Sequence, residues 1–494
     1  MTQTLLIAGG LVLDPSGDGQ PRALDIRVED GNIAALVPPG SDTDANVERF
    51  DASGHIVIPG LINAHTHSHG ALGKGLLGDR WPLELLLNAA PGVTGGRSAQ
   101  QKRLSAILSA VEMAKKGCTA CYDLCVEQPL PTEDGLLAVA DGYASVGLRC
   151  VLAPMMSDTT LYHAMPGLWG SLPEALRPPA MPDDAWRQAL AVVERVVAAW
   201  PHDRDRLRLA LGPTIPMHCS DDFLVACARM SAETGLAVQT HLAESVVQAS
   251  VARERYGRSL TAHLDHIGLL SERFSGAHAI WIDDEDIELL AARGCAIAHN
   301  PPSNLRLGSG VAKLRKMLDA GIAVGIGTDA SNTSDGQNII EAMRLGAYLS
   351  RADERDPDRW VDALEALRCV TEGSARVLGM ADRIGRIAPG HAADLVFLRR
   401  DDITYVPDGN LLIQFVFAES GISIDRVMVG GKSIVVDGRM TTLDERKLYD
   451  EARATAADLA ERLAPQRARQ TELVSYVMDF CRGRYPGDTE GRGV

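Results

Sequence analysis

The sequence lacks three features that mark large classes of protein. No stretch of its 494 residues reaches the roughly 18 uncharged apolar residues that a membrane-spanning helix needs. Residues 1–15 have no basic segment before the apolar stretch, and Asp14 comes too soon for a secretory signal peptide. The net charge of −16 leaves no basic excess for nucleic acid or an anionic membrane. We therefore expect a cytoplasmic protein that acts on a small molecule and binds neither nucleic acid nor membrane.

A disulfide framework is also missing. The nine cysteines are an odd number without a small disulfide-rich domain around them, which is typical of reduced thiols. The run GCTACYDLC places Cys118, Cys121 and Cys125 in metal-like spacing, but no second CxxC pair follows. We interpret these three as buried strand residues, because free cysteine packs as a small hydrophobe.

Short β-type runs occur at both ends of the chain. They contain turn signals such as Asp30-Gly31 and Gly430-Gly431. GGKS at 430–433 lacks the upstream spacing of a phosphate-binding loop, so we predict a hairpin there. Residues 1–56 with 387–440 are predicted to build one small β-sandwich domain, and residues 441–494 a C-terminal helical extension without evident chemistry.

The middle of the chain, residues 57–386, alternates short apolar runs with helical segments, which indicates an α/β fold of the (β/α)8 TIM-barrel type. The predicted strands are 57–65, 118–124, 149–156, 207–213, 236–242, 276–282, 295–300 and 322–329. The predicted helices are 101–116, 132–146, 183–199, 221–234, 245–256, 284–293, 311–320 and 338–350.

Groups with metal chemistry fall at the ends of these strands, where barrel enzymes carry their active sites. His65 and His67 end the first strand, His241 the fifth and Asp329 the eighth. Histidines two apart on a strand project to one side, although an isolated pair also fits two hydrogen-bonded core histidines. Three imidazoles and a carboxylate suit one Zn²⁺ or Fe²⁺ with a position left for water.

Hydrolysis by metal-activated hydroxide also needs a group that moves protons. Glu244 follows His241 by three residues in THLAES and is our candidate, the alternative being a helix N-terminal residue favoured by the dipole. His278 in GAHAIWI either binds the metal or polarises the group under attack, and we prefer the second role. Asp329 is assigned to the catalytic set as well as to the metal.

Six stretches of the sequence together resemble the amidohydrolase superfamily, in the branch of atrazine chlorohydrolase, the triazine hydrolases and the adenosine or S-adenosylhomocysteine deaminases. They are PGLINAHTH, THLAES, GAHAIWI, AHNPPSNLRLGSG, VGIGTDASNTSDG and IGRIAPGHAADLVFL. The resemblance implies that one Zn²⁺ or Fe²⁺ is held by His65, His67, His241 and Asp329, with Glu244 as acid/base and His278 beside it. It also implies a homodimer or higher homo-oligomer.

The chain departs from parts of the family pattern. Binuclear relatives carry a lysine at the end of strand four, and the corresponding residues 206–220 contain none, so one metal ion is expected. GPTIPM places Thr214 where nucleoside-type deaminases have a histidine, and Val93 stands where they carry a glutamate for ribose. Both changes weaken an adenosine or S-adenosylhomocysteine assignment. Some triazine hydrolases replace the strand-eight aspartate, which this chain retains as Asp329.

Five further residues are predicted to contact substrate. His69 follows the ligand pair in the loop above the pocket, and Thr214 takes the place of the family histidine. The loop 153–173 carries Trp169, whose aromatic surface suits a flat or apolar substrate. His299 either lines the pocket or satisfies the loop backbone, and Asn304 lies in the same motif.

The function that these observations favour is hydrolytic deamination of an aminated nitrogen heterocycle. Removal of a halide from a heterocycle, or cleavage of an amide, urea or carbamate, would use the same residues and remains an alternative. A non-catalytic structural barrel is disfavoured, because such proteins usually lack the metal ligands that this chain retains.

Overall fold

The computed structural model describes residues 4–484. Its strands are β1 (Thr4–Val12), β2 (Arg22–Glu29), β3 (Asn32–Val37), β4 (Glu48–Asp51), β5 (His55–Pro59), β6 (Leu61–His67), β7 (Cys118–Val126), β8 (Arg149–Met156), β9 (Leu207–Leu209), β10 (Gly212–Pro213), β11 (Val238–Leu242), β12 (Phe274–His278), β13 (Ala296–His299), β14 (Ala323–Ile326), β15 (Asp329–Ala330), β16 (Leu395–Arg399), β17 (Ile424–Val429), β18 (Lys432–Val436) and β19 (Arg439–Met440).

The α-helices are α1 (Leu83–Thr94), α2 (Ala99–Ala114), α3 (Glu133–Val146), α4 (Leu161–Ala164), α5 (Leu168–Ser171), α6 (Ala185–Ala198), α7 (Asp221–Thr234), α8 (Val246–Tyr256), α9 (Leu260–His266), α10 (Asp284–Ala292), α11 (Pro301–Arg306), α12 (Leu314–Asp319), α13 (Ile339–Asp353), α14 (Ala363–Arg368), α15 (Ser374–Val377), α16 (Leu411–Ala418), α17 (Glu445–Arg462) and α18 (Ala464–Arg482).

Strands from both ends of the chain share one mixed sheet of nine strands, in the order β19-β18-β17-β16-β5-β1-β2-β3 with β4 paired to β1. The sequence predicted a small β-sandwich domain built from both chain ends. In the structure the hydrogen bonding is continuous from one end of the chain to the other, because β5 pairs with β1 on one side and with β16 on the other. The GGKS segment forms the β17–β18 hairpin, as expected.

The middle of the chain forms two parallel sheets whose strands alternate with helices. One has the order β10-β8-β7-β6-β15 with β9 paired to β8, and the other has the order β11-β12-β13-β14. A bridge between Leu211 and Val238 connects the two sheets at one side. At the other side, β14 ends at Ile326 and β15 begins at Asp329, paired to β6. The strand ends that carry the candidate site residues therefore lie together.

The first predicted barrel strand, 57–65, is wrong as a single element. The chain passes from the mixed sheet into the parallel sheet at Gly60, between β5 and β6. A Cβ at Gly60 would lie 2.1 Å from the Thr119 hydroxyl, so the crossing requires glycine. Pro59-Gly60 marks this break in the sequence, but the apolar residues on both sides of it read as one continuous strand.

The nine cysteines are buried free thiols, which agrees with their interpretation as packed small residues. Burial raises the pKa of the Cys118 and Cys125 thiols, so neither is a reactive thiolate. Within residues 4–484, the helices are all too short or too polar to cross a bilayer.

Candidate active site

A cavity of about 620 Å³ opens at the carboxyl ends of the parallel strands. His67, His241, Glu244 and Asp329 line its floor, and the remainder of its wall is mostly apolar. His67, His241 and Asp329 come from strands that are distant in sequence, and Glu244 follows the strand of His241. The parallel pairing places them at one edge, since Asp329 lies opposite Thr66, and His241 opposite Ala277 next to His278.

Three histidines turn their Nε2 atoms toward one point. The Nε2 atoms of His67 and His241 are 3.1 Å apart, and Asp329 Oδ1 lies 3.2 Å from His67 Nε2. Asp329 Oδ1 is also 3.7 Å from His65 Nε2. Burial, followed by the field of His67, lowers the pKa of His65 well below its ordinary value and that of His241 to about 3. His65 and His241 are therefore neutral at physiological pH.

The opposite ring nitrogens fix the tautomers. His67 Nδ1 lies 2.6 Å from the Leu124 carbonyl and His241 Nδ1 2.5 Å from the Thr214 carbonyl. A carbonyl only accepts, so each Nδ1 carries a proton, and in the neutral ring each Nε2 then presents a lone pair. Two lone pairs at 3.1 Å beside a carboxylate repel one another unless a cation lies between them.

Gln239 fixes the tautomer of His65 in the same way, by accepting a hydrogen bond from its Nδ1. His65 Nδ1 lies 2.8 Å from Gln239 Oε1, and the Gln239 amide nitrogen donates to the Ala64 carbonyl and the Ser275 hydroxyl, which fixes its orientation. His65 Nε2 is buried and has no hydrogen-bond partner in the described chain. Partners of this kind orient histidines toward a metal.

Asp329 is held by Ser303 and by its own loop. The Ser303 hydroxyl donates to Oδ2 at 2.6 Å, and the Ala330 amide donates to Oδ1 at 2.7 Å. Burial alone would raise the pKa of Asp329, but His67, His278 and the other neighbours outweigh it and lower that pKa well below its usual range. The carboxylate is thus charged and faces the histidines.

Ser303→Ala should weaken metal binding while leaving the fold intact. It removes the hydrogen bond that orients Asp329. Loss of such a partner typically costs about 10- to 100-fold in metal affinity. Competition with a chromophoric zinc chelator measures the dissociation constant, and an affinity equal to the wild type would show that Ser303 does not orient the carboxylate.

Glu244 lies just before the helix that follows β11. Ser245 caps α8, and the Glu244 amide donates to Gln248 Oε1 at 3.0 Å. Its carboxylate is buried and lies 3.7 Å from His278 Nε2. Burial, reinforced by Asp329 and Glu84, raises the pKa of Glu244 well above its ordinary value. A carboxyl with a raised pKa accepts and returns a proton near neutral pH.

Glu84 on α1 is a second buried carboxyl behind Glu244. It accepts a hydrogen bond from the Ser245 hydroxyl at 2.6 Å and lies beside Cys481 of α18. Burial raises its pKa, and the Ser245 hydrogen bond offsets this only in part.

Glu84→Gln should reduce the pH dependence of stability. A carboxyl whose pKa is raised by folding stabilises the protein below its unfolded pKa of about 4.3, and that contribution is lost as pH rises through the folded pKa. The melting temperature of the wild type should therefore fall relative to Glu84→Gln between about pH 5 and pH 8. Scanning calorimetry at both pH values measures this, and a constant difference would contradict the raised pKa.

His278 ends β12 on the other side of Glu244. Its Nδ1 lies 2.8 Å from Asn304 Oδ1, and its Nε2 is 3.9 Å from Asp329 Oδ2. Burial lowers the pKa of His278. The Nε2 atom is buried and has no hydrogen-bond partner among the described residues. It is therefore free to meet a ligand.

The backbone is strained at these strand ends. His278, Asp329 and Ala243, which precedes Glu244, have φ values of 70°, 61° and 45°. L-residues seldom adopt this left-handed region, and it occurs mostly where surrounding structure enforces it, often at functional sites. Of these residues Asp329 lines the cavity, as does Glu244 next to Ala243, while His278 is buried behind the lining.

The structure separates the five predicted substrate contacts into two groups. His69 and Thr214 line the cavity. The other three lie outside this lining, and their contact with substrate stays a prediction: Asn304 bonds His278, and Trp169 stacks on His163 with centroids 4.0 Å apart. His299 is buried with both ring nitrogens unpartnered in the described chain, and burial lowers its pKa to about 3.

Sequence reasoning missed several residues. Gln239 stands two positions before His241 on the same strand, so alternation alone would have placed both on one face. Ser303, Glu84 and Ser245 carried no such signal. The C-terminal helix α18 was assigned no chemistry, yet Leu463 before it and Gln466, Arg469, Gln470 and Leu473 on it line the cavity.

Comparison with known proteins agrees with this geometry. The chain is 29% identical over 470 residues to the 5'-deoxyadenosine deaminase of Methanopyrus kandleri, covering 92% of this chain and 99% of that protein. It is 31% identical to the 5-methylthioadenosine/S-adenosylhomocysteine deaminase of Desulforudis audaxviator, covering 88% and 95%.

Among solved structures, atrazine chlorohydrolase TrzN from Arthrobacter aurescens, complexed with zinc, superposes with a TM-score of 0.79 at 26% identity, covering 92% of this chain and 100% of that one. Residues 56–434 match the amidohydrolase family. The chain is a member of the amidohydrolase family.

Proposed function

We propose that this protein is a metal-dependent hydrolase that replaces an amino group on a nitrogen heterocycle with oxygen from water. The observation that carries the proposal is the convergence of three histidine Nε2 lone pairs and a charged carboxylate, with the buried Glu244 beside them. The chain belongs to the amidohydrolase family, and the relatives from Methanopyrus kandleri and Desulforudis audaxviator are named as deaminases.

We assign the site to a (β/α)8 barrel at residues 57–386, with a small β-domain from 1–56 and 387–440 and a helical extension at 441–494. The bridge between Leu211 and Val238 and the pairing of β15 with β6 support joining the two parallel sheets into one barrel.

His65, His67, His241 and Asp329 are the proposed ligands of one divalent cation. The unpartnered, buried Nε2 of His65 and the close approach of the His67 and His241 Nε2 atoms to each other and to the Asp329 carboxylate fit a bound cation. Three imidazoles and one carboxylate suit zinc, which is present in the similar chlorohydrolase structure. When bound, such a cation lowers the pKa of a water and so provides the nucleophile at neutral pH.

Glu244 has the position and the pKa of the proton carrier. It removes a proton from the attacking water as the oxygen bonds to the ring carbon, and then delivers a proton to the leaving nitrogen. The carbon–nitrogen bond breaks and ammonia departs.

We assign His278 the role of stabilising the negative charge that develops on the ring when water adds, which its 3.7 Å distance from Glu244 supports. For this, its Nε2 must carry a proton, and Asn304 must present its amide nitrogen to Nδ1. The Asn304 nitrogen has no other partner in the described chain, so nothing opposes that orientation.

A second candidate is hydrolytic loss of a halide or alkylamine from an alkylated triazine-type ring. It is favoured by the cavity wall, where Thr214 and Val93 lie among leucine and methionine side chains. These residues provide no charged group for a ribose. The same Glu244 and His278 would serve this reaction.

The test is a product assay on metal-replete protein with aminated purines, pterins, pyrimidines and triazines, their halogenated and N-alkylated analogues, and amides, ureas and carbamates. Ammonia from a ring substrate supports deamination. Halide or alkylamine alone supports the second candidate. Turnover confined to amides, ureas or carbamates would overturn both.

A further inference from the structure

One wall of the cavity is formed by the C-terminal helix α18, outside the matched family segment 56–434. Leu463 and Leu473 provide apolar surface there. Gln466, Arg469 and Gln470 provide the polar groups of this wall. The cavity that reaches the proposed metal ligands thus also reaches α18.

The position of α18 is fixed by α1 and by Tyr162. Asn88 Nδ2 donates to the Gln470 carbonyl at 3.1 Å, and the Tyr162 hydroxyl lies 2.7 Å from Asn88 Oδ1. A Cβ on Gly92 would lie 2.7 Å from Arg467 Cγ, so the two helices approach closely only because glycine is there. These contacts hold α18, and with it this wall of the cavity, against α1.

Arg469 is the single Lys or Arg side chain in the cavity lining described by the structure. It is exposed, and its guanidinium makes no hydrogen bond or ion pair with a described residue. The charge of Arg469 lowers the pKa of Tyr162, against the larger effect of burial, so Arg469 lies near this cavity-lining residue. The remaining acid of the lining, Glu127, is paired with Lys102, while Glu244 and Asp329 belong to the reaction site. An uncompensated cation therefore faces a mainly apolar cavity.

We propose that Arg469 binds an anionic substituent, a carboxylate, on the part of the substrate remote from the reacting amino group. Gln466 lies three residues earlier on the same helix face and adds an amide donor. A guanidinium matches a carboxylate with two parallel hydrogen bonds, which are stronger than hydrogen bonds between neutral groups. The inference rests on the proposed function and adds the substrate class: a heterocycle with an acidic side chain.

The test uses binding in the Glu244→Gln background, in which substrate is held without turnover. The probes are adenine and a diaminotriazine, each with a flexible alkyl tether of graded length ending in a carboxylate, and the matched carboxamides. At the best tether length the carboxylate should bind about tenfold or more tightly than the carboxamide, as expected for a charge-assisted hydrogen bond. Adding Arg469→Gln should abolish this preference and leave carboxamide binding unchanged.

Arg482→Gln is the matched control, because Arg482 is on the same helix, pairs with Asp479 and lies outside the cavity lining. It should keep the preference. Equal binding of carboxylate and carboxamide, no binding of any probe, or a preference that survives Arg469→Gln would overturn the inference.

Ammonia release by the protein with Glu244 intact separates this inference from the proposed function. Turnover of both probe types without a carboxylate preference overturns the subsite and leaves the deaminase. The opposite result is a carboxylate preference that depends on Arg469, with no ammonia, halide or amine released from any ring. That result would keep the subsite and overturn the proposed reaction.

Discussion

Glu244→Gln should abolish turnover while the protein keeps its metal. The substitution preserves size and removes the group that accepts and returns the proton. Among the described residues, the histidine nearest to the Glu244 carboxylate is His278, whose Nε2 is 3.7 Å away. The proposed metal-binding histidines are farther from it. We expect kcat to fall by about 10²- to 10⁴-fold, the range of general acid–base catalysis. Steady-state kinetics with metal analysis by mass spectrometry measures both quantities.

Glu127→Gln is the control for this experiment. Glu127 also lines the cavity but is paired with Lys102 and bonded to Thr132. Its substitution should change kcat only slightly. A Glu244→Gln protein with wild-type kcat and unchanged metal content would remove Glu244 from the mechanism.

Asp329→Ala should lose the metal together with the activity. Asp329 Oδ1 is 3.2 Å from His67 Nε2 and 3.7 Å from His65 Nε2, where it would contribute negative charge to a cation held by the histidines. We expect metal affinity to fall by more than the roughly 100-fold that follows loss of a ligand's partner. Zinc should raise the melting temperature of metal-stripped wild type, since a ligand at 1,000 times its dissociation constant adds about 4 kcal/mol. The variant should show little of that shift.

Two variants make this result specific. Asp329→Asn keeps the side-chain volume and should also lose zinc, which separates charge from packing. Asp335→Ala removes an aspartate of the same loop that bonds Arg306 outside the cavity, and it should retain the metal. Full zinc binding and activity in Asp329→Ala would exclude Asp329 as a ligand.

Much of the middle of the fold follows from sequence periodicity. The helices predicted at 132–146 and 221–234 are observed as α3 (Glu133–Val146) and α7 (Asp221–Thr234), because each starts at a Thr or Ser cap and ends at a left-handed glycine. The strands are short apolar runs between such signals. The ends of the strands then locate His65, His67, His241 and Asp329 on one edge.

Local sequence patterns do not predict the direction in which a side chain points once the strand has ended. His299 ends β13 and Asn304 lies on α11 just after it, yet both lie beside His278 and outside the cavity lining. Trp169 stacks on His163 in its own loop. Long-range packing decides these orientations, and a single sequence gives no measure of it.

The role of α18 was also beyond local patterns. Its apolar positions, Leu473, Val477 and Cys481, show that one face is buried. They do not show that α1 is the surface it covers. Gly92 packs against Arg467, and Asn88 bonds to Gln470, which is 382 positions away in the sequence. Contacts over such separations cannot be read from local patterns.

The measurement that tests the central claim most directly is the analysis of products formed in ¹⁸O-water by zinc-replete protein from the heterocycle panel. We predict one ammonia for each product molecule, with one amino group of an intact ring replaced by ¹⁸O, and no product from Glu244→Gln. Ring substrates that remain unchanged, while an amide, urea or carbamate is cleaved, would contradict the account.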